Sequence, residues 1–136
     1  MANYSGGCLC GAIRYEVNGE PLRAANCHCV DCRRVTGSQF ATNVFFDVDD
    51  LAVVKGEPKA YRHTADSGNA MTKWFCADCG SQLFGQSSGN TAVKSVKLGS
   101  LDDVKEIRPG IDIFLDSAVP FADPPDYTGH FARGPQ

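Results

Sequence analysis

Apolar and polar residues alternate along much of this chain with a period of two, which is the pattern of strands with one buried face. In the first such segment Ile13, Tyr15 and Val17 alternate with Arg14 and Glu16. The same pattern predicts further strands over residues 40–46, 51–54, 70–75, 92–98 and 111–115. Helical turns are predicted only near residues 29–35 and 101–105. The sequence therefore predicts a mainly β fold of short strands, separated by turns rich in Gly, Asp, Asn and Pro.

The length and the charge of the chain exclude several classes of protein. The 136 residues predict a single domain over 1–136, and no apolar run approaches the roughly 20 residues needed to span a bilayer. Sixteen acidic against thirteen basic residues give a net charge of −3, so no overall field would attract nucleic acid. We expect no nucleic acid and no membrane as partner. The last dozen residues, rich in Pro and Gly, are expected to lie over the surface or fray.

Seven cysteines fall into groups of two, three and two, and this division is the most informative chemical feature of the chain. The groups are Cys8 and Cys10; Cys27, Cys29 and Cys32; and Cys76 and Cys79. A disulfide framework is disfavoured by the odd total and by a first segment without a basic start or an apolar stretch. Iron–sulfur proteins usually space their cysteines differently. We therefore expect reduced thiols, a cytoplasmic location and zinc as the metal.

The two outer pairs have the sequence of metal knuckles. Each pair is followed directly by a glycine, Gly11 or Gly80, which lets the backbone turn closely around a sulfur. Joined together, the pairs would supply the four ligands of a closed zinc site, and closed sites are structural. The predicted structural zinc ligands are Cys8, Cys10, Cys76 and Cys79. The alternative is that these are buried thiols without a metal.

The middle group predicts a second zinc site with an open fourth position. Cys27, Cys29 and Cys32 lie within six residues, so one loop could wrap a single ion. A water or a substrate would complete the tetrahedron, as in catalytic zinc sites. The alternative is a closed structural site in which His63 or His130 is the fourth ligand.

Three thiolates make zinc a poor Lewis acid for water but suit it to bind and activate an incoming thiol. Arg33 and Arg34 follow the third cysteine, and guanidinium groups pair with carboxylates, which glutathione carries. We expect both arginines to bind the substrate. Thr36 and Ser38 are further candidates, for orienting the electrophile.

Three motifs along the chain carry a resemblance to a known family. They are CxCG near the start, CHCxxCRRxTGSxF from Cys27, and WFCxxCGxxLF from Trp74. In this order they resemble the glutathione-dependent formaldehyde-activating enzyme family, which also contains the domain of centromere protein V. The resemblance implies a zinc-stapled β-tent fold and the same division into a structural and a catalytic zinc. It also implies a carbon–sulfur lyase that condenses formaldehyde with glutathione to S-hydroxymethylglutathione.

The late part of the chain departs from the family pattern. Where the family often has PxxHIFVDSxAPW, residues 109–121 are PGIDIFLDSAVPF, so Asp112 and Phe121 replace a histidine and a tryptophan. We predict a zinc-dependent carbon–sulfur lyase using glutathione and a small aldehyde. Two alternatives stay open: a lyase for another thiol and aldehyde, and a non-catalytic zinc-stapled module that binds a protein partner. The net negative charge disfavours the module, because the centromeric relative is basic.

Overall fold

The computed structural model describes residues 3–135 as two β-sheets with one short helix. The strands in chain order are β1 (Tyr4–Gly7), β2 (Arg14–Val17), β3 (Arg23–Cys27), β4 (Ala41–Asp47), β5 (Leu51–Lys55), β6 (Lys59–Thr64), β7 (Ala70–Phe75), β8 (Gln82–Ser87), β9 (Val93–Lys97), β10 (Ile111–Ile113) and β11 (Gly129–His130). Helix α1 (Val30–Thr36) follows β3, and 3-10 turns cover Val48–Asp50, Leu98–Ser100 and Leu115–Ser117. The fold is mainly β, as predicted.

The small sheet has the order β1-β2-β5, and the large sheet has the order β11-β10-β3-β4-β9-β8-β7-β6. Pairing is antiparallel except at β10, which runs parallel to both β3 and β11. The hydrophobic core lies between the two sheets. Tyr15 of the small sheet is fully buried and packs edge-on against Phe84 of the large sheet, with ring centroids 5.0 Å apart.

The other face of the large sheet, away from the hydrophobic core, carries the cysteine and polar side chains of the candidate site. Residues paired across neighbouring strands share a face. Cys27 of β3 pairs with Ala41 of β4, and two residues further along β4, Asn43 pairs with Lys97 of β9. Through the pairing of β9 with β8 and of β8 with β7, Lys73 shares this face as well. Helix α1 contacts β4 and lies beside Lys73. We call this surface, carrying Cys27, Asn43, Lys73 and Lys97, the polar face.

The predicted strands form within one or two residues of their expected bounds, and α1 confirms the helical turn near 29–35. The expected helical turn at 101–105 is wrong. Leu101 instead bridges Gly6, and Asp102 N donates to Ser5 O, so this stretch extends the edge of β1. The segment from residue 111 ends as a strand at Ile113, because Phe114 has φ +57°.

Of the two alternatives expected for the last dozen residues, lying over the surface describes 125–135, most of which are at least partly exposed, and fraying does not. Residues 129–130 form β11 beside β10, and Phe131 N donates to Asp112 O. Thr128 is buried. This segment therefore completes the edge of the large sheet. Within residues 3–135, no helix is long and apolar enough to cross a membrane.

Candidate metal centres and substrate site

The turns after β1 and β7 bring the two outer cysteine pairs together. The sulfurs of Cys8, Cys10, Cys76 and Cys79 all lie within 4.8 Å of one another. The Cys8–Cys10 and Cys10–Cys76 sulfur distances are 3.6 and 3.8 Å, far longer than the roughly 2.05 Å of a disulfide. The cluster thus joins the small sheet to the large one with four free thiols. Such a set could hold one metal ion.

The local backbone at this cluster fits a metal knuckle. Gly11 and Gly80 have φ near +80°, and their amides donate to the carbonyls of Cys8 and Cys76. The amide of Ile13 donates to the sulfur of Cys8 at 3.2 Å, as amides do to thiolate ligands. The Ser81 hydroxyl lies 3.2 Å from the sulfur of Cys79 and lowers the pKa of that thiol to about 5. These contacts favour the anionic form that a metal requires.

The middle cysteines form a second cluster at the junction of β3 and α1. Cys27 ends β3, Cys29 is the N-cap of α1, and Cys32 lies in its first turn, with all three sulfurs within 4.8 Å of one another. Cys29 Sγ accepts a hydrogen bond from Cys32 N at 3.3 Å. Contacts from the thiols of Cys27 and then Cys32 lower the pKa of Cys29 to about 2, and the same contact raises the pKa of Cys27. The cluster could hold a second metal ion.

The histidines weighed as a fourth ligand lie elsewhere. His63 Nε2 is 2.7 Å from Lys73 Nζ, and His130 Nε2 is 3.1 Å from Pro125 O. Within residues 3–135, the group of potential ligands around Cys27 contains only the three cysteines. Among residues 3–135, no histidine nitrogen therefore belongs to this group, and His28, which lies between two of its cysteines in the sequence, contacts Asp112 through Nε2.

His28 and Asp112 form a buried pair next to the middle cluster. The sequence alone did not indicate this pair. His28 Nε2 lies 2.7 Å from Asp112 Oδ1, both side chains are almost fully buried, and Thr128 Oγ1 donates to the other carboxylate oxygen at 2.6 Å. The His28 amide also donates to Ile113 O. Because β10 runs beside β3, Asp112 sits next to the segment that carries the cysteines. Asp112, which replaces the histidine of the family pattern, thus contacts the segment that carries the middle cysteines.

The four predicted substrate-binding residues differ in their surroundings. Arg33 is half-buried, and its Nε has no hydrogen-bond partner within residues 3–135. Arg34 is exposed and lines a cavity beside α1. Thr36 Oγ1 donates to Cys32 O at 2.7 Å and accepts from Ser38 N, so its hydrogen is used within the helix. Ser38 itself is exposed.

Lys97 is a further cation close to the middle cysteines. Its Nζ donates to Asn43 Oδ1 at 2.7 Å. Burial lowers the pKa of Lys97, while the charge of the nearby Cys32 acts in the opposite direction. The fold, and not the sequence, brings Lys97 close to the middle cysteines, because Lys97 lies 65 positions beyond Cys32 in the sequence.

Two cavities flank α1. The larger, about 740 Å³, extends from Thr36, Phe40 and Lys97 towards the turn at Cys8. The smaller, about 310 Å³, lies between α1 and strands β6 and β7. Phe121, the second departure from the family pattern, is 71% exposed and lines neither cavity.

Fold and site define a mainly β protein with two cysteine clusters, each able to hold a metal ion. A family model described as glutathione-dependent formaldehyde-activating enzyme matches residues 3–117. The chain belongs to this family, as the motifs predicted.

Two individual proteins are similar to this chain. A Halomonas elongata protein, named provisionally as a glutathione-dependent formaldehyde-activating enzyme, is 31% identical over 83 residues, which are 58% of this chain and 53% of the relative. The chain thus spans about half the length of this curated relative. A crystal structure of a Rhodobacter sphaeroides protein superimposes with a TM-score of 0.60 at 30% identity, covering 75% of this chain and 91% of that one.

Proposed function

We propose that this protein is a zinc-dependent carbon–sulfur lyase that condenses formaldehyde with glutathione, reversibly, to S-hydroxymethylglutathione. The observation that carries the proposal is the cluster of Cys27, Cys29 and Cys32. Its three sulfurs come from one segment at the start of α1, and no histidine nitrogen of residues 3–135 belongs to their group. Such a donor set suits a catalytic zinc with one position left for substrate. Membership of the family supports the choice of thiol and aldehyde.

The residues around the cluster fit the binding of an anionic thiol. When bound, zinc supplies a positive centre that lowers the pKa of an incoming thiol. Lys97 adds a nearby cation that offsets the negative charge of the assembled thiolates. We propose that Arg33 and Arg34 pair with substrate carboxylates, and their position directly after Cys32 in α1 supports this role. We keep Thr36 and Ser38 as residues that orient the electrophile.

The proposed reaction is a simple addition. The thiolate sulfur of glutathione attacks the carbonyl carbon of formaldehyde, a carbon–sulfur bond forms, and the carbonyl π electrons become an oxyanion. That oxyanion takes one proton and becomes the hydroxymethyl group. No oxidant or reductant is needed, and the reverse reaction releases both substrates. The larger cavity, beside Thr36 and Lys97, has room for the small aldehyde.

The four-cysteine cluster has a separate role in this proposal, as a structural zinc site. It joins the two sheets with ligands from Cys8, Cys10, Cys76 and Cys79. The two sheets joined in this way support the β-tent as the particular fold. The seven free thiols support a reducing compartment, the cytoplasm, as the place of action.

The test is the exchange rate between free and condensed thiol. Formaldehyde and glutathione also react unaided, so exchange spectroscopy should compare buffer, the zinc-loaded protein and a Cys32→Ser variant. We expect faster interconversion with the wild-type protein and the buffer rate with the variant. If both proteins give the buffer rate, the same assay with other thiol and aldehyde pairs tests the broader lyase reaction. A zinc-loaded protein that accelerates none of them would refute the lyase and favour the interaction module.

A further inference from the structure

We propose that the smaller cavity, between α1 and strands β6 and β7, binds a carboxylate of the thiol substrate, with Lys73 and Arg34 as its anchors. The cavity is about 310 Å³ and is lined by Asp31, Arg34, Val35, Tyr61, His63 and Lys73. The inference rests on the proposed function, because the ligand is a thiol held at the middle cysteines. It names the part of the molecule that would recognise the rest of that thiol.

Lys73 is the strongest reason for the proposal. Its side chain belongs to β7, which lies between β6 and β8 in the large sheet, and is only 8% exposed. Its Nζ lies 2.7 Å from His63 Nε2, and an ammonium offers only donors, so the imidazole nitrogen must accept. An imidazole acceptor brings no negative charge. Within residues 3–135, Lys73 has no carboxylate within 4.0 Å.

A buried ammonium without a counter-charge is unfavourable and is usually paired. A ligand carboxylate in the cavity would supply both the counter-charge and a hydrogen-bond acceptor. A buried ammonium in this position differs from that of a surface lysine, which water satisfies. Lys73 is therefore better explained as a ligand-binding residue than as part of the core.

The rest of the lining suits a carboxylate as well. Arg34 presents a guanidinium group, which can bind a carboxylate through two parallel hydrogen bonds. Asp31 is the one acidic residue of the lining, so two full cations face one anion. Tyr61 stacks on His63 with ring centroids 6.0 Å apart and gives the cavity an apolar rim. The volume is enough for one end of a small peptide.

The cavity also lies in the right place relative to the cysteines. Asp31 and Arg34 flank Cys32 within the seven residues of α1. On the polar face of the sheet, the charge of Lys97 acts on both Cys32 and Lys73. A thiol bound at the cysteines could therefore extend its chain under α1 to Lys73. The protein would in this way distinguish glutathione from thiols without a carboxylate.

The experiment compares two thiols on the zinc-loaded protein by calorimetry. In a Lys73→Gln variant we expect the Kd for glutathione to rise roughly 10- to 100-fold, the usual range for a lost charged hydrogen bond. Cysteamine has no carboxylate, so its Kd should change less than about 2-fold. A Lys73→Arg variant should recover most of the affinity for glutathione. Arg62→Gln is the control, because Arg62 is an exposed cation whose neighbour Tyr61 is the one that lines the cavity.

Two outcomes would overturn the carboxylate subsite. They are an unchanged affinity for glutathione in Lys73→Gln, and an equal loss for both thiols. Should Lys73→Gln fail to fold, Arg34→Gln applies the same comparison at an exposed position.

S-methylglutathione separates this proposal from the lyase, because it keeps both carboxylates but has no free thiol. If it shifts the His63 ring resonances in the wild-type protein while formaldehyde exchange stays at the buffer rate, the subsite stands and the lyase fails. If exchange is accelerated but neither glutathione nor its S-methyl derivative depends on Lys73, the lyase stands and the subsite fails.

Discussion

The four-cysteine cluster joins the two sheets through segments far apart in the sequence, and its loss should therefore unfold the protein. Cys10 and Cys76 are 66 positions apart, yet their sulfurs are 3.8 Å apart. Closing a loop of that length in the unfolded chain is worth about 4 kcal/mol, and structural zinc in small domains contributes roughly 10 kcal/mol or more. Net domain stability is only about 5 to 15 kcal/mol. We expect Cys76→Ser or Cys8→Ser to give insoluble or unfolded protein.

Cys29→Ser is the matched comparison at the other cluster. The middle cysteines lie within six residues, so a metal there closes only a short loop. Cys29 is also the N-cap of α1, accepting from Cys32 N, and serine is among the best N-cap residues. The helix should therefore still begin at Val30. We expect a folded protein with one zinc fewer and a loss of stability below about 2 kcal/mol.

Urea unfolding, followed by fluorescence, and metal analysis by mass spectrometry measure both quantities on the same samples. The reasoning requires the order wild type, Cys29→Ser, Cys76→Ser in decreasing stability. A folded Cys76→Ser with a near-normal midpoint, together with an unfolded Cys29→Ser, would reverse the roles of the two clusters.

Three further perturbations test other parts of the site. Replacing both Arg33 and Arg34 by Ala should weaken glutathione binding by roughly 1 to 3 kcal/mol in calorimetry and leave zinc content and cysteamine binding unchanged; equal losses for both thiols would contradict this. Asp112→Ala leaves His28 and Thr128 without their buried hydrogen-bond partner and should cost roughly 1 to 3 kcal/mol in urea unfolding, and a loss below about 0.5 kcal/mol would contradict the pairing. Removing zinc with a chelator should lower the Tm sharply, and adding zinc back should restore it, whereas an unchanged Tm would argue against a structural metal.

Local sequence patterns were enough to predict much of this fold. The strand β2 alternates clearly, with Tyr15 and Val17 buried and Glu16 exposed, and it was found close to its true bounds. The cysteine grouping was also predictable, because knuckle spacing is a local property. Strands without alternation were missed. In β3 four consecutive residues, Ala24 to Cys27, are buried, since both faces of this central strand are covered. β1 contains two glycines and β11 has only two residues.

The surroundings of the site could not be predicted in the same way, because they depend on contacts between distant parts of the chain. His28 and Asp112 are separated by 84 positions and meet only because β10 lies parallel to β3. Lys73 lies in strand β7, and nothing in the sequence around it indicates that α1 lies beside its side chain. Its burial follows from the order of strands in the large sheet.

Asp112, one of the two departures from the family pattern, contacts a residue of the cysteine segment and a residue near the end of the chain. The family model matches residues 3–117, whereas Thr128, which donates to Asp112, lies beyond that range. The carboxylate thus has one partner inside the family region, His28, and one in the C-terminal segment that β11 attaches to the sheet. Because both partners are buried, the position of His28 between two cysteines depends on that segment. The shared motifs therefore predict metal binding only for the cysteines themselves. The contacts of His28, Asp112 and Thr128 beside them are to be tested on this chain.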